Sequence, residues 1–513
     1  MKYSRWEILL LAIVLLFSII VRLPAVSYGL PTFEGADDRF ILFEAVKIAS
    51  LERPAVSFGL PDSTLFYSYG MVLRVVFEVM KLFGATDAPT VSEAYLHLNE
   101  PWIHETIRIV NIGWMIAGTL LLYTLTRRMF SRLVAAFAIL FFSVSSLILL
   151  HTIEIRPDVP SIVFVLVTLH LALNLRERRR RKDDMWAGVA LGLSVATKYP
   201  LALLAIPLVI AHIDAIRRES HSIRALFSRN LWIMFGVSLL TFSIATPLFW
   251  PLLPRVIEQL QHEARSAHYQ ADGLAFHQNL WFYLTHALND GIGTGVALLA
   301  VGGVAWSWMK NRFTTLFLAS FPLVTVVGLS FHKLHWDRWM IPVLPFIALF
   351  AAVACGQLFA SQKRALRIAA VILLLIALPP ALMRTLRVSS GWTVPETREV
   401  ARDWILENAL PDSRIVRTVY TPWINDPRFH EIFVQELGVK KLEEYQKENI
   451  DYLVINGFQR ERFFSSSATP DVYKTYYRET LDASTELFIA HAENGHPIEI
   501  YAFSERAKKY HSK

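Results

Sequence analysis

Residues 6–22 (WEILLLAIVLLFSIIVR) form one long apolar run, and residues 22–40 (RLPAVSYGLPTFEGADDRF) follow it directly. The run is close to the roughly 20 residues that a helix needs to cross the core of a bilayer. It has no A-x-A cleavage pattern, so we interpret it as a retained span rather than a signal peptide. Asp37 and Asp38 would then lie just outside the first span, where adjacent carboxylates are costly unless they have partners or a function.

The composition of the whole chain supports a membrane protein. Of its 513 residues, 54% are hydrophobic and only 19% are charged, which is too apolar for a soluble protein of this size. A single cysteine, Cys355, excludes an intramolecular disulfide. The net charge of +7 comes with basic residues confined to short loops, so we expect no nucleic-acid partner.

Eleven apolar segments are predicted to span the membrane: 6–22, 106–126, 133–150, 158–175, 186–198, 200–214, 230–250, 283–308, 313–331, 339–360 and 368–388. If all of them cross, the basic clusters fall on one side: 2–5, 127–132, 176–182, 217–229, 310–312 and 363–367. The positive-inside rule makes that side the cytoplasm. Residues 23–105 become an external loop, in which 37–50 and 64–84 are predicted as helices at the membrane surface.

From residue 390 the composition changes to alternating helical and β-branched or aromatic segments. A helix after Pro395 and a turn at 411–413 precede predicted strands in 414–420, 451–457, 486–492 and 498–503, with helices near 438–448 and 470–480. The fold class is therefore a polytopic α-helical membrane protein with a C-terminal extracytoplasmic α/β domain. We divide the chain into a membrane domain, 1–389, and an α/β domain, 390–513.

Ionisable residues gather at the predicted outer ends of the spans rather than at mid-membrane depth. Carboxylates can act as general bases, and Lys, Arg and His can neutralise a phosphate leaving group. This arrangement favours group transfer from a polyprenyl-phosphate donor at the outer surface. A transporter or lipid flippase, which usually places charge near the midplane, is the main alternative; a scaffold protein and a metal-dependent oligosaccharyltransferase are the others.

Several short motifs occur in a consistent order and on a consistent side of the membrane: 34–38 (EGADD), 62–69 (DSTLFYSY), 156–160 (RPDVP), 196–200 (ATKYP), 336–345 (WDRWMIPVLP) and 397–405 (TREVARDWI). Together they resemble the GT-C superfamily of membrane glycosyltransferases, in the protein mannosyltransferase/ArnT-like group (glycosyltransferase family 39). The resemblance implies about eleven transmembrane helices and inverting transfer of a sugar from polyprenyl phosphate to a lipid, glycan or protein acceptor.

The same resemblance implies roles for individual residues. Asp37 would be the catalytic base, and Asp38 and Asp158 would position the acceptor or the base. Donor phosphate would be bound by Lys198 and Arg338, helped by His332 or His335. The remaining acceptor or positioning candidates are Glu34, Tyr67, Tyr69, Arg156 and His268.

Each of these assignments has a structural alternative. The acidic pair can cap a helix, Asp158 can begin one, and Lys198 can extend its amine to the interface. Glycines at 291, 293 and 295 favour close helix packing rather than a nucleotide loop.

We predict no cofactor, because His262, His268 and His277 do not have metal-site spacing, although a divalent metal stays an alternative. The predicted location is a bacterial inner or plasma membrane, with the active site outside and membrane lipid as a partner.

Overall fold

The computed structural model describes residues 4–30, 38–52, 63–96, 100–218, 228–268, 271–466, 469–491 and 495–512. Up to Gly391 the described chain is helical, and a sheet follows. The α-helices of the first part are Arg5–Ile20, Asp38–Ala49, Ser63–Leu82, Val91–Leu96, Trp102–Met129, Arg132–Ser143, Ser146–Leu150, Asp158–Arg178, Arg181–Thr197, Ala205–Arg217, Arg229–Ala245, Leu253–Glu263, Phe276–Phe282, Leu288–Ile292, Thr294–Lys310, Arg312–Phe331, Leu344–Ala360 and Arg364–Gly391. Short 3₁₀ turns occupy Leu23–Ala25, Tyr199–Leu204 and Asp337–Val343, and Tyr283–Ala287 is a π-helical turn.

Seven helices among the described residues are long and apolar enough to cross a membrane, or eight if one bent pair counts as a single span. Every predicted span is largely helical, although 133–150, 200–214 and 283–308 each contain more than one helical element, so the predicted polytopic helical fold is confirmed. Three of the predicted segments correspond to shorter helices: Arg132–Ser143, Arg181–Thr197 and Arg229–Ala245. The total of eleven crossings therefore stays a prediction.

The first helix is fixed at its start by a capping box. Ser4 N–H donates to Glu7 Oε2 at 2.8 Å, and Glu7 N–H donates to Ser4 Oγ at 3.3 Å. The buried Glu7 carboxylate also accepts from Tyr123 Oη at 2.9 Å and from Arg127 Nε at 3.1 Å. These contacts join the first helix to the Trp102–Met129 helix.

Glycines near residue 293 allow two helices to bend and to pack closely. The close packing is what the sequence predicts. Phe276–Ile292 and Thr294–Lys310 meet at an angle of 113°, and Gly293 between them has a φ of +91° that favours glycine. A Cβ at Gly295 would lie 2.7 Å from Ala377 Cα, so a larger residue would push the final helix of the membrane part away.

The external segment forms the two predicted helices, Asp38–Ala49 and Ser63–Leu82. Leu42 and Val46 of the first pack against Leu65 and Leu73 of the second in one apolar cluster. Their position at the membrane surface stays a prediction.

After Gly391 the chain forms a five-stranded sheet within the described residues. The strands are β1 (Ser413–Arg417), β2 (Phe429–Phe433), β3 (Tyr452–Asn456), β4 (Thr485–Ala490) and β5 (Ile498–Ala502), in the order β2-β1-β3-β5-β4. The first three strands are parallel, and β5 runs antiparallel to β3 and β4. The α-helices of this part are Thr397–Asn408, Leu442–Lys447, Gly457–Ser465, Asp471–Asp482 and Glu505–His511, with a 3₁₀ turn at Leu437–Val439.

Residues alternate between the two faces of the sheet, as a strand requires. Val454 faces the cluster that contains Ala401 and Ile405, whereas Leu453 faces the cluster that contains Phe463 and Tyr477. Helices therefore cover both faces, which confirms the small α/β unit. Its location outside the cell stays a prediction.

The α/β unit begins next to the C-terminal end of the first helix. Trp392 packs in one apolar cluster with Val21, Tyr28 and Ile153. The chain after residue 390 thus starts on the same side of the helical part as the 151–158 segment.

Candidate functional site

Asp38 is held beside Arg156 at one edge of the site. Asp38 begins its helix, as the capping interpretation predicts, and only 1% of it is exposed. Its Oδ1 accepts a 3.0 Å hydrogen bond from Ile155 N–H and lies 4.0 Å from Arg156 Nε. Burial raises the pKa of the Asp38 carboxyl to about 7, against the opposing charge of Arg156.

Arg156 also contacts a second carboxylate. Its Nη1 lies 3.2 Å from Glu154 Oε2, and Glu154 bonds His151 Nδ1 as well. Burial alone would raise the pKa of Glu154, but the charges of Arg156 and His151 hold it well below its usual range. The Arg156 guanidinium is thereby fixed between two acids.

The partly buried Lys198 and the buried Asp158 form an ion pair. Asp158 begins the Asp158–Arg178 helix as predicted, and its carboxylate accepts a hydrogen bond from Lys198 Nζ. Lys198 lies in extended conformation between the Arg181–Thr197 helix and the Tyr199–Leu204 turn. The predicted junction of two short helices thus places the amine against an acid from another helix.

Arg156, Asp158 and Lys198 line one cavity of about 270 Å³. Its polar lining includes five of the predicted site residues: Arg156, Asp158, Lys198, His332 and Arg338. The rest is mostly apolar and includes Ile41, Leu201, Leu260, Phe321, Leu329 and Trp339. Cationic groups and an apolar wall therefore share one cavity.

One helix supplies a continuous wall of that cavity. Phe321, Thr325 and Leu329 are spaced four residues apart on the Arg312–Phe331 helix, and His332 follows its end. At 1.5 Å per residue this stripe is roughly 16 Å long. The buried Thr325 hydroxyl has no hydrogen-bond partner among the described residues, and Thr325 lines the cavity.

The other predicted residues lie away from the cavity lining. Tyr69 is fully buried and donates from its hydroxyl to Asn111 Oδ1 at 2.6 Å, and Tyr67 is partly buried on the same helix. The His268 ring lies 5.3 Å from the Trp336 ring, and the His335 ring lies 4.9 Å from that of Phe282.

Asp37 and Glu34, the predicted base and an acceptor candidate, lie outside the described residues. Their predicted roles therefore stay predictions.

The cavity lining also includes residues that were not predicted as site residues, among them Glu263 and Trp339. Glu263 ends the Leu253–Glu263 helix, and Trp339 lies in the 3₁₀ turn that also carries Arg338. Glu263 belongs to a visible cluster of outer charges, 262–268, and Trp339 belongs to a quoted motif. Spacing along the chain does not show that both line the same cavity as Lys198.

Parts of this sequence and of this fold are similar to those of known proteins. Residues 103–250 match the family model described as dolichyl-phosphate-mannose-protein mannosyltransferase. The oligosaccharyltransferase AglB from Archaeoglobus fulgidus, in complex with an inhibitory peptide and a dolichol-phosphate, matches with a TM-score of 0.57 and 14% identity, over 98% of this chain and 74% of that one. ArnT from Cupriavidus metallidurans, bound to undecaprenyl phosphate, matches with a TM-score of 0.57 and 13% identity, over 99% of both chains.

This chain has the GT-C glycosyltransferase fold. The resemblance predicted from the sequence is thereby confirmed for the fold. A comparison with curated protein sequences gave no significant match.

Metal binding is the alternative function considered for His262, His268 and His277. In the described ranges, no group of three or more His, Cys, Asp or Glu side chains is placed to hold a metal ion. The expectation that the protein needs no cofactor stays a prediction, and activity measured with and without a chelator would test it.

Proposed function

We propose that this protein transfers a sugar from a polyprenyl-phosphate donor to an acceptor at the external membrane face. The observation that carries this proposal is the single cavity that combines Lys198, Arg338 and Arg156 with a long apolar wall. A lipid phosphate needs both features, because its head is anionic and its tail is apolar. Proteins of the same fold support the assignment, since ArnT is bound to undecaprenyl phosphate and AglB to a dolichol-phosphate.

The donor phosphate would bind between Lys198 and Arg338, near His332. The Asp158 carboxylate holds the Lys198 amine in place before the donor arrives. Planar Arg338 and compact Lys198 can then share the phosphate oxygens. The first part of the polyprenyl tail would lie along Phe321 and Leu329.

Asp37 would act as the general base. It is joined in sequence to Asp38, whose carboxylate lies beside Arg156 at the cavity edge. Asp37 would take the proton of the acceptor hydroxyl or amine while the acceptor attacks the anomeric carbon. The bond from that carbon to the phosphate oxygen breaks, polyprenyl phosphate leaves with the electron pair, and the configuration inverts.

The acceptor would be a lipid, glycan or protein on the external side. The α/β unit begins at Trp392 beside Ile153, near the segment that carries Arg156. A domain in that position is suited to limit access to the donor cavity. The bacterial form of the donor would be undecaprenyl phosphate, and the archaeal or eukaryotic form dolichyl phosphate.

Two measurements test the proposal. The full-length protein in nanodiscs should bind undecaprenyl phosphate and quench tryptophan fluorescence, since Trp339 lines the cavity. Mass spectrometry of surface glycans, lipids and proteins from cells with and without the protein should reveal one transferred sugar. Movement of labelled lipid across vesicles without sugar transfer would instead support a flippase.

The sidedness has its own test. Epitope tags inserted beside residue 37 and after residue 512 should both be accessible from outside intact cells. Accessibility of the two tags from opposite sides would overturn an external active site that is shared with the α/β unit.

A further inference from the structure

The segment from Thr152 to Ile155 has no regular structure, yet it is mostly buried. Buried peptide groups need hydrogen-bond partners. Thr152 N–H donates to Leu149 O and Glu154 O accepts from Arg156 N–H, both within the local backbone. The carbonyls of residues 152–154 and the Ile155 N–H also bond side chains from distant parts of the chain, so the segment owes much of its conformation to those side chains.

Asn111 supplies the central contacts. Its Nδ2 donates to Thr152 O at 3.1 Å and to Glu154 O at 3.0 Å. Its Oδ1 accepts from the Tyr69 hydroxyl at 2.6 Å, which fixes the orientation of the amide. No part of Asn111 is exposed, so its side chain is committed to this segment.

Arg108, one turn earlier on the same helix, extends the scaffold in two directions. Its Nε donates to Ile153 O at 3.3 Å. Its Nη1 donates to the carbonyls of Ala25, Val26 and Tyr28 at 3.1, 3.0 and 2.8 Å. Arg108 thus ties the root of the external loop to the 152–155 segment.

Asp38 completes the scaffold by accepting the Ile155 N–H. The next residue, Arg156, lines the cavity, although Arg108 and Asn111 do not. Movement of the 152–155 segment would therefore move Arg156 relative to Asp38 and displace the edge of the cavity.

We infer that Asn111 and Arg108 are positioning residues of the transfer reaction, which hold the 152–155 segment so that Arg156 and Asp38 keep their relative positions at the edge of the cavity. This inference rests on the proposed function. It concerns the acceptor side of the reaction, because Lys198 and Arg338, the proposed phosphate ligands, belong to other elements.

The test uses Asn111→Asp, which keeps the shape but removes the amide donor, Arg108→Lys, and the milder Tyr69→Phe. Thr119→Val on the same helix is the matched control, because the buried Thr119 hydroxyl bonds Met115 O within its own helix. Each full-length variant is measured for folded yield, for undecaprenyl phosphate affinity and for turnover of the sugar donor identified from the cells.

We expect turnover per folded protein to fall at least tenfold in Asn111→Asp and Arg108→Lys, and about threefold in Tyr69→Phe. Affinity for undecaprenyl phosphate should stay within twofold of the wild type, and the Thr119 variant should match it in both respects. This separation of turnover from binding would not arise from a loss of stability alone.

Two different failures are distinguishable. If the wild type transfers sugar and the Asn111 and Arg108 variants keep its turnover per folded molecule, the positioning inference is wrong and the proposed function stands. If the wild type transfers no sugar in any assay, both are overturned.

Discussion

Buried charge is arranged differently in the membrane part and in the α/β unit. In the membrane part, Arg156 and the Asp158–Lys198 pair border a cavity. In the α/β unit, Glu499 accepts from Arg460 Nη1 at 2.7 Å and from Tyr501 Oη at 2.9 Å within the packed sheet. Glu436 likewise accepts from Gln459 Nε2 at 2.7 Å.

Buried charged residues therefore have different surroundings in the two regions, which implies different roles. A buried ion pair is weak evidence for stabilisation, since desolvation offsets much of the attraction. Where such pairs border a cavity with an apolar wall, a ligand can compete for their charges. Changes at the cavity should therefore alter transfer, and changes inside the α/β unit should alter only folding stability.

The largest effect is expected for Asp37→Asn. Removal of a general base typically lowers turnover by about 10²–10⁴-fold. Binding of undecaprenyl phosphate should be unchanged, because Asp37 is not proposed to contact the phosphate. Turnover by the purified variant and fluorescence titration with the lipid phosphate check both points.

Asp87→Asn is the matched control, since Asp87 is an exposed acid of the same external loop. Normal turnover in Asp37→Asn, with normal folded yield, would mean that another residue is the base.

The next effect is expected at the phosphate end of the cavity. Lys198→Met alone would leave Asp158 buried without its partner, so the double variant Lys198→Met/Asp158→Asn is the cleaner change. Loss of one charge-assisted hydrogen bond, about 2 kcal/mol, should weaken undecaprenyl phosphate binding about thirtyfold. Titration of the full-length protein in nanodiscs measures it.

Lys333→Met provides the comparison, because Lys333 is exposed and does not line the cavity. If the double variant binds the lipid phosphate as tightly as Lys333→Met does, the cavity is not the donor site.

Much of the helical fold follows from the sequence, since each predicted apolar segment is largely helical, but the breaks inside 133–150 and 283–308 were not predicted. The prediction of the α/β unit was less complete. Strands β1, β3, β4 and β5 were predicted, but β2 was missed because FHEIF follows Pro427 and is only partly buried at a sheet edge. A short edge strand has a weak signal, because its position depends on pairing with β1.

Five of the residues that line the candidate cavity were predicted from the sequence, but their pairings were not. Charges near outer helix ends pointed to Lys198, Asp158, Arg156 and Arg338, which the fold gathers at one cavity. Contact between Lys198 and Asp158, which are 40 residues apart, depends on how two helices pack. Asn111 gave no signal because a lone amide in an apolar span is compatible with many roles.

Glu436→Gln inside the α/β unit is expected to leave the rate of sugar transfer unchanged. Burial raises the pKa of Glu436 from 4.5 to about 7, so the folded state keeps a proton that the unfolded chain releases. The contribution of Glu436 to stability should therefore be largest below pH 4.5 and fall by roughly 3 kcal/mol as the pH rises to 7. The glutamine variant should lose this pH dependence, since its amide stays neutral and can still accept from Gln459.

Hydrogen-exchange protection of β3 and β5 in the full-length protein, corrected for intrinsic exchange rates, measures the pH dependence of stability. The exposed Glu443→Gln variant is the control. A glutamine variant with the wild-type slope would show that another group titrates, and one with reduced turnover would break the division between charges that serve transfer and charges that serve folding.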